Sequence, residues 1–152
     1  MSRRFRFLAL LPLLLAVGCD SGASFDVSAY VGTYAGTRTI TEGPDGQGDV
    51  QRITITILAN EDAGTVRLAL DPEFGPAEVL NGTYDDDGFL FRAMEPGFDF
   101  TFTAGPDGAV RGTSSTFGQE GTISGTFTPS RIDLTFEAED PAGVRTEIRT
   151  RR

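Results

Sequence analysis

Apolar and polar residues alternate along most of the chain from residue 31 onward. Clear examples are Ile53-Thr54-Ile55-Thr56-Ile57 and Phe98-Asp99-Phe100-Thr101-Phe102. A period of two over four or more residues indicates β-strands that bury one face and expose the other to water. No stretch combines the i, i+3, i+4, i+7 spacing of an amphipathic helix with capping residues. The pattern therefore predicts an all-β protein.

Gly, Pro and Asp recur between these runs and mark tight turns, for which they supply positive φ, fixed φ and local hydrogen bonds. Nine turn segments follow one another: 43–46, 60–64, 71–76, 85–88, 95–97, 105–108, 118–121, 129–130 and 140–143. They separate ten predicted strands: 31–41, 50–58, 65–71, 77–84, 88–94, 97–104, 109–117, 120–128, 131–139 and 143–150.

Connections this short require neighbouring strands to pair antiparallel, which gives an up-and-down meander of about 8–10 strands. A sheet of this length would leave long exposed edges unless it closed on itself. We therefore predict a closed barrel, with a β-sandwich as the alternative.

The first 19 residues have a different pattern. Residues 3–6 include three Arg, residues 8–17 form an apolar run, and Gly18-Cys19 follow. Ten apolar residues are too few to cross about 30 Å of hydrocarbon as a helix, so the run is typical of a signal peptide. Leu15-Ala16-Val17-Gly18-Cys19 resembles the lipobox of bacterial lipoproteins, with Ala16 where Leu is commonest. The alternative is a secreted protein whose cysteine lies there by chance.

The lipobox resemblance and the strand pattern together predict three parts of the chain. Residues 1–18 are a signal peptide, residues 19–29 are the lipidated Cys19 and a flexible tether, and residues 30–152 are a single β-barrel domain. Acyl chains on Cys19 would hold the protein on a membrane of the cell envelope, on the periplasmic or cell-surface face.

The composition excludes several classes of function. The chain has no His, no Trp and one Cys, and all 13 basic residues are Arg. It therefore cannot hold a His-dependent catalytic triad, a His-ligated zinc or haem, a Schiff-base lysine or an intramolecular disulfide. Strand alternation places acids such as Asp99 and Asp133 in water, where a carboxyl group is a poor general acid. We expect neither an enzyme nor a bound cofactor.

The charge argues against nucleic acid as a partner. Without residues 1–18 the chain has 10 Arg against 22 acidic residues, a net charge of −12. Such a surface repels phosphate groups. The turn Asp85-Asp86-Asp87-Gly88 has enough carboxylates to suggest calcium, but it lacks the full calcium-loop pattern, and Asp-Gly is itself a hairpin signal. We interpret this segment as a turn, and predict no metal site.

The start of the first strand resembles that of the lipocalin-like (calycin) families. Gly32-Thr33-Tyr34 stands where they have Gly-x-Trp, and Arg149 or Arg151 lies where they have an Arg that packs across the first-strand aromatic ring. The resemblance implies a lipocalin-like barrel. Because the chain has neither Trp nor His, it does not imply biotin or haem binding.

The apolar strand faces supply the candidate ligand-binding residues. Phe89, Phe91, Phe98, Phe100 and Phe102 share the apolar face, where they either fill the barrel or line a pocket for a hydrophobic molecule. Polar groups that would orient a ligand, if their strand faces point inward, are Tyr34, Arg38 and Arg92, and an Arg would favour a carboxylate.

Two functions remain open at this stage. The first is a lipid-anchored envelope lipoprotein whose barrel binds or shields a small hydrophobic ligand. The second is a non-catalytic structural module with a solid core that contacts another envelope protein.

Overall fold

Ten antiparallel strands form one closed sheet in the computed structural model, which describes residues 25–42, 48–95, 98–116, 118–138 and 143–152. The strands are β1 Gly32–Glu42, β2 Asp49–Asn60, β3 Thr65–Pro72, β4 Glu78–Asp85, β5 Gly88–Glu95, β6 Phe98–Ala104, β7 Ala109–Thr116, β8 Gln119–Thr128, β9 Arg131–Ala138 and β10 Val144–Arg151. Each strand pairs with its neighbours in sequence. The predicted meander is therefore confirmed.

Pairing between the first and last strands closes the barrel. β1 and β10 run antiparallel, in register from Ala35 opposite Arg151 to Glu42 opposite Val144. Closure gives every strand two hydrogen-bonded neighbours and removes the exposed edges that a ten-strand meander would otherwise have. The barrel prediction is correct, and the β-sandwich alternative is wrong.

The barrel interior is filled by the alternating apolar residues. Ile53, Ile55 and Ile57 of β2 are buried, and Asp99 of β6, next to the buried Phe100, is exposed. The strand faces therefore follow the period of two in the sequence.

Small inward residues make room for the Phe rings. Gly82 lies opposite Phe91, and Gly112 lies opposite Phe102. A Cβ atom at Gly82 would lie 2.8 Å from Cδ1 of Phe91, and one at Gly112 would lie 2.4 Å from Cβ of Phe102. The interior thus combines bulky rings with glycines on the neighbouring strand, as close packing requires.

A short 3-10 helix, Val27–Ala29, covers one end of the barrel, here called the helix end. The Asp26 side chain accepts a hydrogen bond from the Ser28 N–H at its start, and Val27 and Tyr30 are buried in the core. The Tyr30 ring lies 5.0 Å from that of Phe89, between centroids. The predicted tether at 19–29 is therefore too long, because residues 25–29 pack on the barrel; residues 1–24, including Cys19 and the predicted signal peptide, lie outside the described part.

The C-terminal residue holds this helix in place. Arg152 donates hydrogen bonds of 2.7 Å from Nη1 to the Ala29 carbonyl and from Nη2 to the Val31 carbonyl. Arg149 and Arg151, the expected partners of the first-strand aromatic ring, lie on the outer face, where they form ion pairs of 2.7 Å with Glu147 and Asp133. The expectation for these two residues is wrong because their positions in β10 face outward, whereas Arg152 follows the strand end and turns back over the helix.

The segment Asp85–Gly88 forms the turn between β4 and β5, as predicted. The Asp85 side chain accepts a 2.9 Å hydrogen bond from the Asp87 N–H, which is typical of an Asx turn. Among the described residues no three acidic or cysteine side chains come together in a way that could hold a metal ion. The described part also contains no helix of the length and hydrophobicity needed to cross a membrane.

Candidate ligand-binding cavity

A cavity of about 320 Å³ lies inside the barrel at the end opposite the 3-10 helix, here called the cavity end. β1 begins beside the helix and ends at Glu42, so the residues late in β1 and β3 and early in β4 and β10 surround this end. The residues that line the cavity are Arg38, Leu70, Glu78, Leu80, Phe100, Ser114, Gln119, Phe136, Glu137, Ala138, Val144, Thr146 and Ile148.

A column of stacked Phe rings fills the barrel below the cavity. Ring centroids are 5.8 Å apart from Phe89 to Phe91, 4.9 Å from Phe91 to Phe102 and 6.0 Å from Phe102 to Phe100. All four rings are buried, but only Phe100 reaches the cavity. The interior is therefore packed toward the helix end and hollow at the cavity end, with Phe100 at the boundary.

The cavity wall is mainly apolar, with one guanidinium group. Leu70, Leu80 and Ile148 are buried and line it together with Phe100. Arg38 is on the inward face of β1, two positions beyond Gly36. Its Nη1 lies 3.6 Å from Oε1 of Glu78 on β4, so the pair spans the barrel interior. The side chains of Arg38 and Glu78 are 23% and 48% exposed.

One hydrogen-bond donor of Arg38 has no acceptor within the described residues. Its Nε is buried and has no hydrogen-bond partner in the part of the chain that the structure describes. Buried polar atoms are normally hydrogen-bonded because an unsatisfied donor costs the desolvation energy of the group. Arg38 is therefore a cation at the cavity wall with unused donor capacity.

Tyr34 lies at the helix end, away from the cavity. Its hydroxyl donates to the Tyr30 carbonyl at 2.8 Å, with the Pro129 carbonyl 3.1 Å away. Burial raises the pKa of Tyr34 above its ordinary value, so the hydroxyl keeps its proton at neutral pH. This arrangement joins the 3-10 helix, β1 and the β8–β9 turn, and it gives Tyr34 a structural role.

The structure places the other candidate residues in different surroundings. Phe89, Phe91 and Phe102 belong to the packed column, and Phe100 lines the cavity. Arg92 is exposed on the outer face of β5, so it does not meet the condition set for a ligand-orienting group. The side chain of Phe98 lies outside the described part.

Two cavity residues, Glu78 and Ile148, were not among the candidates predicted from the sequence. Alternation places Ile148 inward, as it does Phe136, but it does not tell how far along the barrel axis each of them lies. The strand register supplies that depth, since Arg38 of β1 lies opposite Ile148 of β10. No turn joins β1 to β10, so no hairpin in the sequence fixes this register.

Comparisons with known proteins support the fold. The sequence significantly matches no family model and no curated protein. In structure the chain is similar to a protein of unknown function from the DUF3598 family of Nostoc punctiforme, solved by crystallography, with a TM-score of 0.60 and 16% sequence identity. The match covers 85% of this chain and 49% of that one, so the chain spans about half the length of that protein. At this identity the similarity shows the barrel architecture alone.

Proposed function

We propose that the protein is a lipid-anchored lipoprotein of the cell envelope whose barrel binds a small hydrophobic molecule. The observation that carries the proposal is the cavity above Phe100. Its volume of about 320 Å³ lies at the lower end of the 300–1,000 Å³ typical of small-molecule sites. An apolar wall with few polar groups is the usual lining of such sites.

The lipobox-like segment supports the anchor and orients the cavity. Six residue steps separate Cys19 from Phe25, so even a fully extended chain reaches only about 20 Å. Because Phe25 packs against the core at the helix end, this end would lie nearest the membrane. The cavity end would then face away from the membrane, and the ligand would enter from the aqueous side.

Replacing Cys19 by Ala tests the anchor. We expect the wild-type protein to fractionate with membranes and Cys19→Ala to appear in the soluble fraction, because acylation needs the thiol and two or three acyl chains give stable anchoring. Fractionation followed by immunoblotting measures the distribution. A Cys19→Ala protein that stays with the membranes would show that another feature anchors it.

Binding of an uncharged dye tests the cavity. N-phenyl-1-naphthylamine fluoresces strongly in apolar surroundings, and we expect it to bind the wild-type protein. Ser114 lines the cavity, whereas Ser124 is exposed on the outer face of β8. Ser114→Phe should fill the cavity and weaken dye binding at least tenfold, while the matched control Ser124→Phe should bind as the wild type does.

Two results would contradict ligand binding in the cavity. One is wild-type protein that does not enhance the dye fluorescence, which would favour the solid-core interaction module. The other is equal binding to both Phe variants, which would place the dye on the outer surface.

A further inference from the structure

We propose that Arg38 binds the head group of the ligand, and that the ligand is therefore a carboxylate-bearing amphiphile rather than a neutral hydrophobic molecule. This inference rests on the proposed function, because it concerns the same cavity. It assigns the polar contact that orients the ligand, with the head group at Arg38 and the apolar part toward Phe100.

Arg38 differs from the other Arg residues that form ion pairs in the described part of the chain. The described ion pairs on the outer face, made by Arg131, Arg145, Arg149 and Arg151, have N–O distances of 2.7–3.2 Å. The pair between Arg38 and Glu78 is longer, at 3.6 Å, although Arg38 is the least exposed of these five Arg side chains. The least solvated of these guanidinium groups therefore has the longest ion pair.

Arg38 has hydrogen-bond donors that Glu78 does not use. A guanidinium has five N–H donors in a planar fork that matches a carboxylate in a bidentate arrangement. The Nη1 side of Arg38 faces Glu78, and the buried Nε has no partner among the described residues. Nε is closed off from the cavity in this conformation, so a ligand carboxylate would pair first with the exposed part of the side chain, and a turn of the guanidinium toward it would give Nε the acceptor it lacks.

Arg38 and Glu78 lie beside apolar side chains. Leu70, Leu80 and Phe100 line the same cavity, so a charge there is poorly solvated and interacts more strongly with a counter-charge than it would in water. Glu78 is half-exposed and competes for Arg38. A ligand carboxylate would replace this weak internal partner, and Glu78 would turn to solvent.

The test uses two probes that differ only in the head group. Decanoate and 1-decanol displace N-phenyl-1-naphthylamine from the full-length protein, and the affinity ratio isolates the contribution of the carboxylate. We expect decanoate to bind the wild type roughly tenfold to a hundredfold more tightly than decanol, as for a hydrogen-bonded charged pair. Arg38→Gln should abolish this preference and leave decanol binding in place, which also shows that the variant folds.

Two further variants separate this role from a general effect of charge. Arg92→Gln removes the same charge from the outer face and should keep the decanoate preference. Glu78→Gln removes the competing carboxylate and should strengthen decanoate binding severalfold, an effect that a merely structural ion pair would not produce.

The outcomes distinguish the two proposals. If both probes bind equally well to the wild type, or if the preference survives in Arg38→Gln, the head-group assignment is wrong and the hydrophobic cavity stands. If the wild type binds neither dye nor probe, the proposed function itself is wrong and this inference fails with it.

Discussion

Replacement of Phe102 by Ala is expected to lower the free energy of unfolding by about 3–5 kcal/mol. The Phe102 side chain is fully buried, and its ring stacks between those of Phe91 and Phe100. Its partner on β7 is Gly112, which has no side chain that could move into the space left by the ring. The cavity would therefore stay largely unfilled, and the lost contacts would not be replaced.

Urea denaturation of wild type and variant measures this loss. Phe74→Ala is the matched control, because Phe74 is 72% exposed, and we expect it to change the unfolding free energy by less than about 0.5 kcal/mol. A loss below about 1 kcal/mol for Phe102→Ala would mean that the column of rings is not the packed core of the barrel.

Replacement of Gly125 by Ala is expected to lower the free energy of unfolding by about 3–5 kcal/mol, because the backbone conformation and a steric clash both oppose the new side chain. Gly125 has φ +146°, a region that other residues rarely adopt. A Cβ atom there would lie 2.0 Å from the Asp133 carbonyl oxygen of β9, so strand pairing would have to shift. Backbone atoms of a paired strand cannot move aside as a flexible side chain can.

Gly75→Ala separates the two causes. Gly75 also has positive φ, +108°, but a Cβ atom there would have no atom within 4 Å. Gly75→Ala should therefore lower the free energy of unfolding only by the conformational contribution. We expect Gly125→Ala to lower it by about 2 kcal/mol more, because of the steric clash. Thermal or urea unfolding of both variants gives the difference. Equal losses would show that β8 and β9 can separate locally at no cost.

Strand existence and pairing order could be predicted because both are local properties. The repeat of Ile53, Ile55 and Ile57 defines a buried strand face. A tight turn such as Asp85–Gly88 reverses the chain direction, so the two flanking strands pair antiparallel. The same alternation already implies that Arg92, between Phe91 and Ala93, faces outward, as the structure shows. Pairing of β1 with β10 followed only indirectly, from the cost of leaving the edges open.

The candidate site could be predicted only in part. Phe89, Phe91, Phe100 and Phe102 are equivalent in the alternation pattern, yet one lines the cavity and three fill the core. Their depth depends on the register of the strands and on what each ring meets across the barrel. The role of residues 25–29 was also missed, because Phe25, Val27 and Ala29 alternate with polar residues over only five positions, a pattern that is too short to assign and that would indicate a strand, not the 3-10 helix observed.

The all-β meander and the strand faces could be predicted because alternation and turn residues act within a few positions of one another. The absence of His and Lys chemistry follows from the composition alone. The folded barrel was needed to show that Arg152 secures the helix end, that the rings stack into a column, and that Arg38 and Glu78 meet across the interior. These contacts join residues far apart in the chain. Barrel closure and register set their distances, and the sequence pattern does not encode how deep in the barrel a residue lies.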